Sequence, residues 1–174
     1  DPFSKIKIDK SISILKARNI FKKIKYKVSD GSSKNVKIMD IVVEEMPTGE
    51  IAAGAGTGTD GTTLSFSLTE NNYLGEGLIV DTSLEASESA LRGGISVVNP
   101  NYNYSGNSLE YGISSLKTDR PNSGYENTLT QLNIGTRFEQ YDDIYFSPSI
   151  STYAETLKTS SIASDAKKKQ KGDY

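Results

Sequence analysis

Glu70 with Glu76, and Asp142 with Asp143, are the acidic pairs whose spacing would suit general acid–base chemistry. Such work needs the two carboxyls held in environments that push their pKa values apart. Both pairs lie in turn-rich stretches, where carboxylates stay solvated. The chain has no histidine and no cysteine, which removes an imidazole base, a thiol nucleophile, a disulfide framework and the usual zinc sites. No Gly-rich loop follows a strand and opens a helix to cradle a phosphate. The expectation is a protein that is not an enzyme, with no catalytic residue, no cofactor, no metal and no small-molecule substrate.

The elements that would position any site are short. Among 174 residues no apolar run approaches the ~20 residues of a membrane helix. A β-barrel remains open, because only alternate residues of its strands face lipid. The first residues carry no signal peptide, and Asp1-Pro2-Phe3 reads as the middle of a domain, so the chain is expected to be cut from something longer. Charge is uneven. Residues 1–46 hold eleven Lys/Arg against six Asp/Glu, residues 47–157 four against fourteen, and residues 158–174 five against two. A basic head suits nucleic acid or anionic lipid. Its lysines, however, are interleaved with Ile and Val at strand spacing, which favours a solvated basic surface.

The first 46 residues alternate between helix and strand patterns. Residues 11–19 read as a short helix capped by Ser11, with Ile12 and Leu15 on one face and Asn19 as a left-handed stop. Ile20 and Phe21 pack its exit. Residues 24–29 alternate as a half-buried strand, with Ile24, Tyr26 and Val28 inward. Asp30-Gly31-Ser32-Ser33 is a turn. Residues 35–45 form a second strand that buries Val36, Ile38, Ile41 and Val43. These elements are too few to bury a sizeable core by themselves. Met46-Pro47-Thr48-Gly49 then breaks the pattern, and lysine gives way to Gly, Ser, Thr and Asn. A domain boundary is expected there.

From residue 49 the chain is a meander of seven candidate strands: 50–58, 62–70, 77–86, 90–98, 108–116, 128–138 and 144–154. Asp60-Gly61 is a hairpin signal between the first two. One parity is apolar (Leu64, Phe66, Leu68; Ile95, Val97; Leu132, Ile134), and almost every strand charge falls on the other. A soluble sandwich shows such alternation too. Two features favour a membrane barrel. The polar parity is Ser, Thr, Gly, Asn and Gln rather than Lys and Glu, and Tyr73, Tyr102, Tyr104, Tyr125, Tyr141 and Tyr145 gather near strand ends like an interfacial girdle. Residues 158–174 read as a loop with a solvated basic run, Lys167-Lys168-Lys169.

Several stretches resemble the BamA family of outer-membrane β-barrel assembly proteins. KSISILKARNIFKKIKYKV at 10–28 is similar to the helix and following strand of the last POTRA domain, and VVEEMPTG at 42–49 to that domain's exit into the barrel. AAGAGTGTDG at 52–61 resembles the first barrel strand and hairpin. LTENNYLGEG at 68–77 resembles the first periplasmic turn and is the most specific match. Asn99-Pro100-Asn101-Tyr102 resembles the next one. The order spans essentially the whole chain. The resemblance implies a mostly β fold. Residues 1–46 would be the C-terminal part of an α+β POTRA domain, lacking the first strand and helix of its β-α-α-β-β plan. Residues 47–157 would be about seven strands of an antiparallel up-and-down meander from a sixteen-stranded transmembrane β-barrel, and 158–174 an extracellular loop. Arg18 departs from the family, which often has an apolar residue there.

The implied function is assembly of outer-membrane proteins. An open strand edge is costly in lipid, so a client strand needs a template to pair with. The resemblance puts that template at a lateral gate on Gly49, Glu50, Ile51, Ala52, Ala53, Gly54, Ala55, Gly56, Thr57 and Gly58. Glycines weaken such a seam; the plainer reading is that they permit curvature and close packing. The periplasmic turn motif is Asn71, Asn72, Tyr73, Leu74, Gly75 and Gly77. Implied partners are unfolded outer-membrane proteins, assembly-machine lipoproteins and membrane lipids, with no nucleic acid. The location is the bacterial outer membrane, with the N-terminal part in the periplasm. A passive porin-like barrel, or a related translocation barrel of the same superfamily, is the alternative; residues 10–46 discriminate, since a porin lacks a POTRA part.

Overall fold

The computed structural model describes residues 4–33, 36–58 and 61–174. Asp1-Pro2-Phe3 and the Asp60 half of the hairpin signal lie outside the described residues. The chain divides into two units, Asp1–Gly49 and Glu50–Tyr174.

The first unit holds helix α1 (Lys5–Ala17) and the antiparallel pair β1 (Phe21–Asp30) and β2 (Lys37–Glu45). The helix starts a full turn and a half earlier than its apolar spacing suggests. Its cap is Ser4, whose Oγ accepts from the Lys7 amide. Ser11 instead donates back to the Lys7 carbonyl at 2.9 Å, in mid-helix. Asn19 does take the left-handed conformation, at φ 57°, and Ile12 and Ile20 are buried. On the hairpin, Ile24, Tyr26 and Val28 pair with Val43, Ile41 and Met39 on one face. Ile38 pairs with Ser29, and Val42 with Lys25, so both fall on the lysine face. The expected burial of Val36, Ile38, Ile41 and Val43 is therefore corrected: parity separates Ile38 from Ile41, and all four are exposed. One helix has too little surface to cover a two-stranded ribbon.

The second unit is an antiparallel meander of β3 (Gly49–Gly58), β4 (Gly61–Tyr73), β5 (Leu78–Ser87), β6 (Ala90–Asn99), β7 (Ser108–Arg120), β8 (Tyr125–Tyr141), β9 (Ile144–Phe146), β10 (Ser149–Thr159) and β11 (Gly172–Asp173). Its order is β11-β10-β8-β7-β6-β5-β4-β3, with β9 beside β8. Two expectations change here. The strand read over 144–154 is two, because Pro148 cannot donate to a ladder and breaks it between β9 and β10. The segment 158–174 is not simply a loop. Ser164 caps a short helix α2 (Asp165–Lys169), and β11 returns to pair with Thr156 and Leu157. Tyr174 and Glu155 exchange two backbone bonds of 2.7 Å each.

Alternation sets the two faces. Ser67, Thr69, Asp81, Ser83, Ser96, Ser114 and Asn133, from five adjacent strands, line one shallow hollow of about 360 Å3. The polar parity is thus the concave face. Leu64, Phe66, Leu84, Ile95, Ile113, Leu132, Ile134 and Ile150 point the other way and are exposed. Charges at strand ends depart from the expected segregation: Glu70, Lys117, Asp119, Glu126, Lys158 and Asp173 sit on the apolar parity. Close approach on the concave side is set by small residues. A Cβ on Gly112 would lie 3.1 Å from the Ile95 carbonyl oxygen and 2.9 Å from Asn133 Oδ1.

Candidate edge strand and turn site

The ten residues proposed from sequence as a gate all fall on β3, and all are exposed. β3 ends the sheet order, with β4 on one side. Ser65 Oγ reaches the Gly54 carbonyl at 3.5 Å, and a Cβ on Gly54 would meet that hydroxyl at 2.9 Å. Gly54 therefore faces the concave side, and alternation puts Ala52, Gly56 and Gly58 with it. Ile51, Ala53, Ala55 and Thr57 take the outward parity. Gly56 and Gly58 have nothing within 4 Å of a built Cβ. Those two glycines are not made necessary by packing within this sheet, whereas Gly54 touches β4. The edge thus presents an extended backbone with almost no side-chain bulk on one face, the form a second strand can pair with.

The turn residues are distributed between strand and turn. Asn71, Asn72 and Tyr73 close β4, while Leu74, Gly75, Glu76 and Gly77 make the turn. The Asn72 amide donates to Glu70 Oε1 at 2.8 Å, and Asn72 Oδ1 accepts from the buried Gly77 amide at 2.7 Å. Leu74, Gly75 and Gly77 are left-handed at φ 56°, 76° and 68°. Glu70, one of the candidate acids, thus serves as a turn acceptor. Glu76 is exposed on the turn itself. Asp142 and Asp143 form the β8–β9 turn, where Glu139 Oε1 accepts from the Asp143 amide at 2.7 Å.

The β6–β7 turn repeats the device. The Asn101 amide donates to Asn99 Oδ1 at 3.0 Å, and Asn101 Oδ1 accepts from the Gly106 amide at 2.9 Å. The signal was present in the sequence as Asn-Tyr-x-x-x-Gly, at 72–77 and again at 101–106, but nothing in composition singles it out. Antiparallel succession puts the β4–β5, β6–β7 and β8–β9 turns at one end of the sheet. Tyr73, Tyr102, Tyr104, Tyr141 and Tyr145 cluster there, and Tyr104 is 94% exposed. Tyr125 lies at the opposite end, with Lys167 Nζ 4.8 Å from its ring centre.

Among the described residues no helix is long and apolar enough to cross a membrane, which leaves strand-crossing open. No family model and no curated protein sequence matches the chain. Among solved structures, the chain is similar to BamA from Haemophilus ducreyi lacking POTRA domains 1–3, with a TM-score of 0.71 and 16% identity over 87% of this chain. The match spans 30% of that BamA chain. At this identity the likeness is one of fold: an antiparallel β meander of the kind found in a BamA barrel.

Proposed function

We propose that this chain belongs to an outer-membrane β-barrel that assembles other barrels, with β3 as the strand that templates clients. The observation that carries the reading is β3 itself. It is an edge of the sheet, ten residues long, exposed throughout, and glycine-rich on its concave parity. Ten residues suffice for a tilted strand to cross a bilayer. Backbone hydrogen bonds cannot be left open in hydrocarbon, so such an edge has to be paired, and a weakly packed pairing can be exchanged for another strand. The fold likeness to BamA supports the same reading. On it, the exposed apolar face meets lipid, the first unit is the end of a periplasmic POTRA domain, and clients and assembly lipoproteins are the partners. A POTRA plan adds a strand and a helix to those seen here, which would cover Ile41 and Val43.

The test is replacement of Gly54 and Gly56 by Val in the native protein. Both positions gain β propensity and bulk on the concave side of the seam. Insertion of a client barrel into proteoliposomes should slow several-fold while the variant remains folded. Unchanged insertion kinetics would count against β3 as the templating strand.

A further inference from the structure

The outward parity of the meander can be followed strand by strand through the pairing register. Leu64 on β4 pairs with Ala86, Ala86 with Leu91, Leu91 with Lys117 and Lys117 with Thr128. This row begins apolar on β4 and ends polar on β8. The row through Leu68 reaches Leu132 by way of Thr82, Ile95 and Ile113.

The apolar area has two edges, and both descend toward the turn end. On β4 it runs from Leu64 to Leu68, where Glu70 ends it; on β8 it runs from Leu132 to Phe138, crossing Thr136, whose hydroxyl donates to the Ser108 carbonyl, and Gln140 ends it. Relative to the rows, the upper edge drops from the level of Thr128 to Leu132, four residues. The lower edge drops from the level of Leu132 to Phe138, six residues. At ~3.3 Å per residue these are falls of about 13 and 20 Å. Four strand spacings of ~4.8 Å separate β4 from β8, about 19 Å. The two slopes are thus roughly 35° and 46°. Strands of membrane barrels tilt by ~35–45°, so a horizontal slab would cut this sheet along such a slope. Charges on the outward parity respect both edges. Glu70 lies below, while Lys117, Asp119, Glu126 and Lys158 lie above. Lys117 and Lys158 share the Glu126 carboxylate, at 2.7 and 3.5 Å.

We propose that the acyl chains of a bilayer contact the outward face between these two oblique edges, and that β7, β8 and β10 rise beyond the upper edge as a wall standing clear of the hydrocarbon. The wall is about 23 Å long on β8, from Leu132 up to Tyr125, at ~3.3 Å per residue. It carries the Lys117–Glu126–Lys158 bridge outside the hydrocarbon, where the three charges keep their hydration. This inference rests on the membrane reading above and assigns its boundaries.

Leu64 and Thr128 decide it, because they share a row yet fall on opposite sides of the upper edge. Single variants Leu64→Cys, Thr128→Cys and Ile113→Cys of the native protein in lipid vesicles are labelled with an environment-sensitive fluorophore. Quenching by doxyl-labelled lipid is compared with quenching by iodide in the buffer. The expected result is several-fold stronger lipid quenching at 64 and 113, and stronger iodide quenching at 128. Equal behaviour at 64 and 128, with lipid quenching at 113, would overturn the oblique boundary and leave the membrane reading standing. Absence of lipid quenching at all three would overturn the membrane reading as well. Protection from both quenchers would overturn the acyl-chain contact, with a second copy covering this face instead.

Discussion

Loss of the Asn72 side chain is expensive for the size of the change. Its Oδ1 accepts from the buried Gly77 amide at 2.7 Å, across a turn that holds Leu74 in a left-handed conformation. Asn72→Ala removes that acceptor. A buried donor left without a partner costs ~1–3 kcal/mol, and the left-handed Leu74, itself costing ~1–2 kcal/mol, loses the bond that offsets it. A net loss of about 2 kcal/mol is a sizeable share of the ~5–15 kcal/mol by which a domain is stable. With a urea dependence of ~1–3 kcal/mol per molar, the midpoint should fall by about 1 M. Far-UV circular dichroism of the chain refolded in detergent micelles reads this directly. Asn72→Asp keeps an acceptor in place and should lose less than half as much. Asn101→Ala removes the matching bond to Gly106, but that residue is exposed, so water replaces the acceptor and the loss should stay below about 1 kcal/mol. An unmoved midpoint in Asn72→Ala, or a larger loss in Asn101→Ala, would refute this role of Asn72.

Gly124 sits at φ 69°, with a built Cβ 2.7 Å from the Ala163 amide nitrogen, Ile162 Cγ1 and Ser160 Oγ. Gly124→Ala should therefore cost ~2 kcal/mol or more, seen as a lower urea midpoint and faster amide exchange in residues 156–174. A Cβ at Gly112 presses on the Ile95 carbonyl, whereas a Cβ at Gly56 meets nothing within 4 Å; of the two valine substitutions, only the former should lower thermal stability. In the first unit, the Lys37 ammonium bonds Asp30 and, by that hydrogen bond and then by its charge, holds the Asp30 carboxyl below its usual 3.8. A depressed carboxyl adds stability above its unfolded pKa and loses it as pH falls through the folded value. Lys37→Gln should raise the Asp30 titration seen by carbon-detected NMR back to the usual value.

Much of the meander was legible because strand alternation has a period of two and survives in a single sequence. The seven segments and their face assignment came from it, and the Gly-rich stretch now seen as β3 was found by composition alone. Local capping was less legible. Ser11 reads as the cap, whereas the structure seats the cap at Ser4, whose Oγ accepts from the Lys7 amide. The strand read through 144–154 failed at Pro148, where a missing donor outweighs alternation. The fold-back of 158–174 was hidden because its pairing with Thr156 and Leu157 is only two residues long, below any periodic signal.

By itself, then, the sequence determined the parity of the strands read in the meander and the absence of imidazole and thiol chemistry. These are properties of residue type and near-neighbour spacing. What only the tertiary structure decided is register: which residue of one strand stands level with which residue of the next. Register placed β3 at the edge, put Leu64 level with Thr128, and gathered Lys117, Glu126 and Lys158 from three strands around one carboxylate. Each of these depends on hydrogen bonds between residues tens of positions apart, and no local pattern in the chain records that alignment.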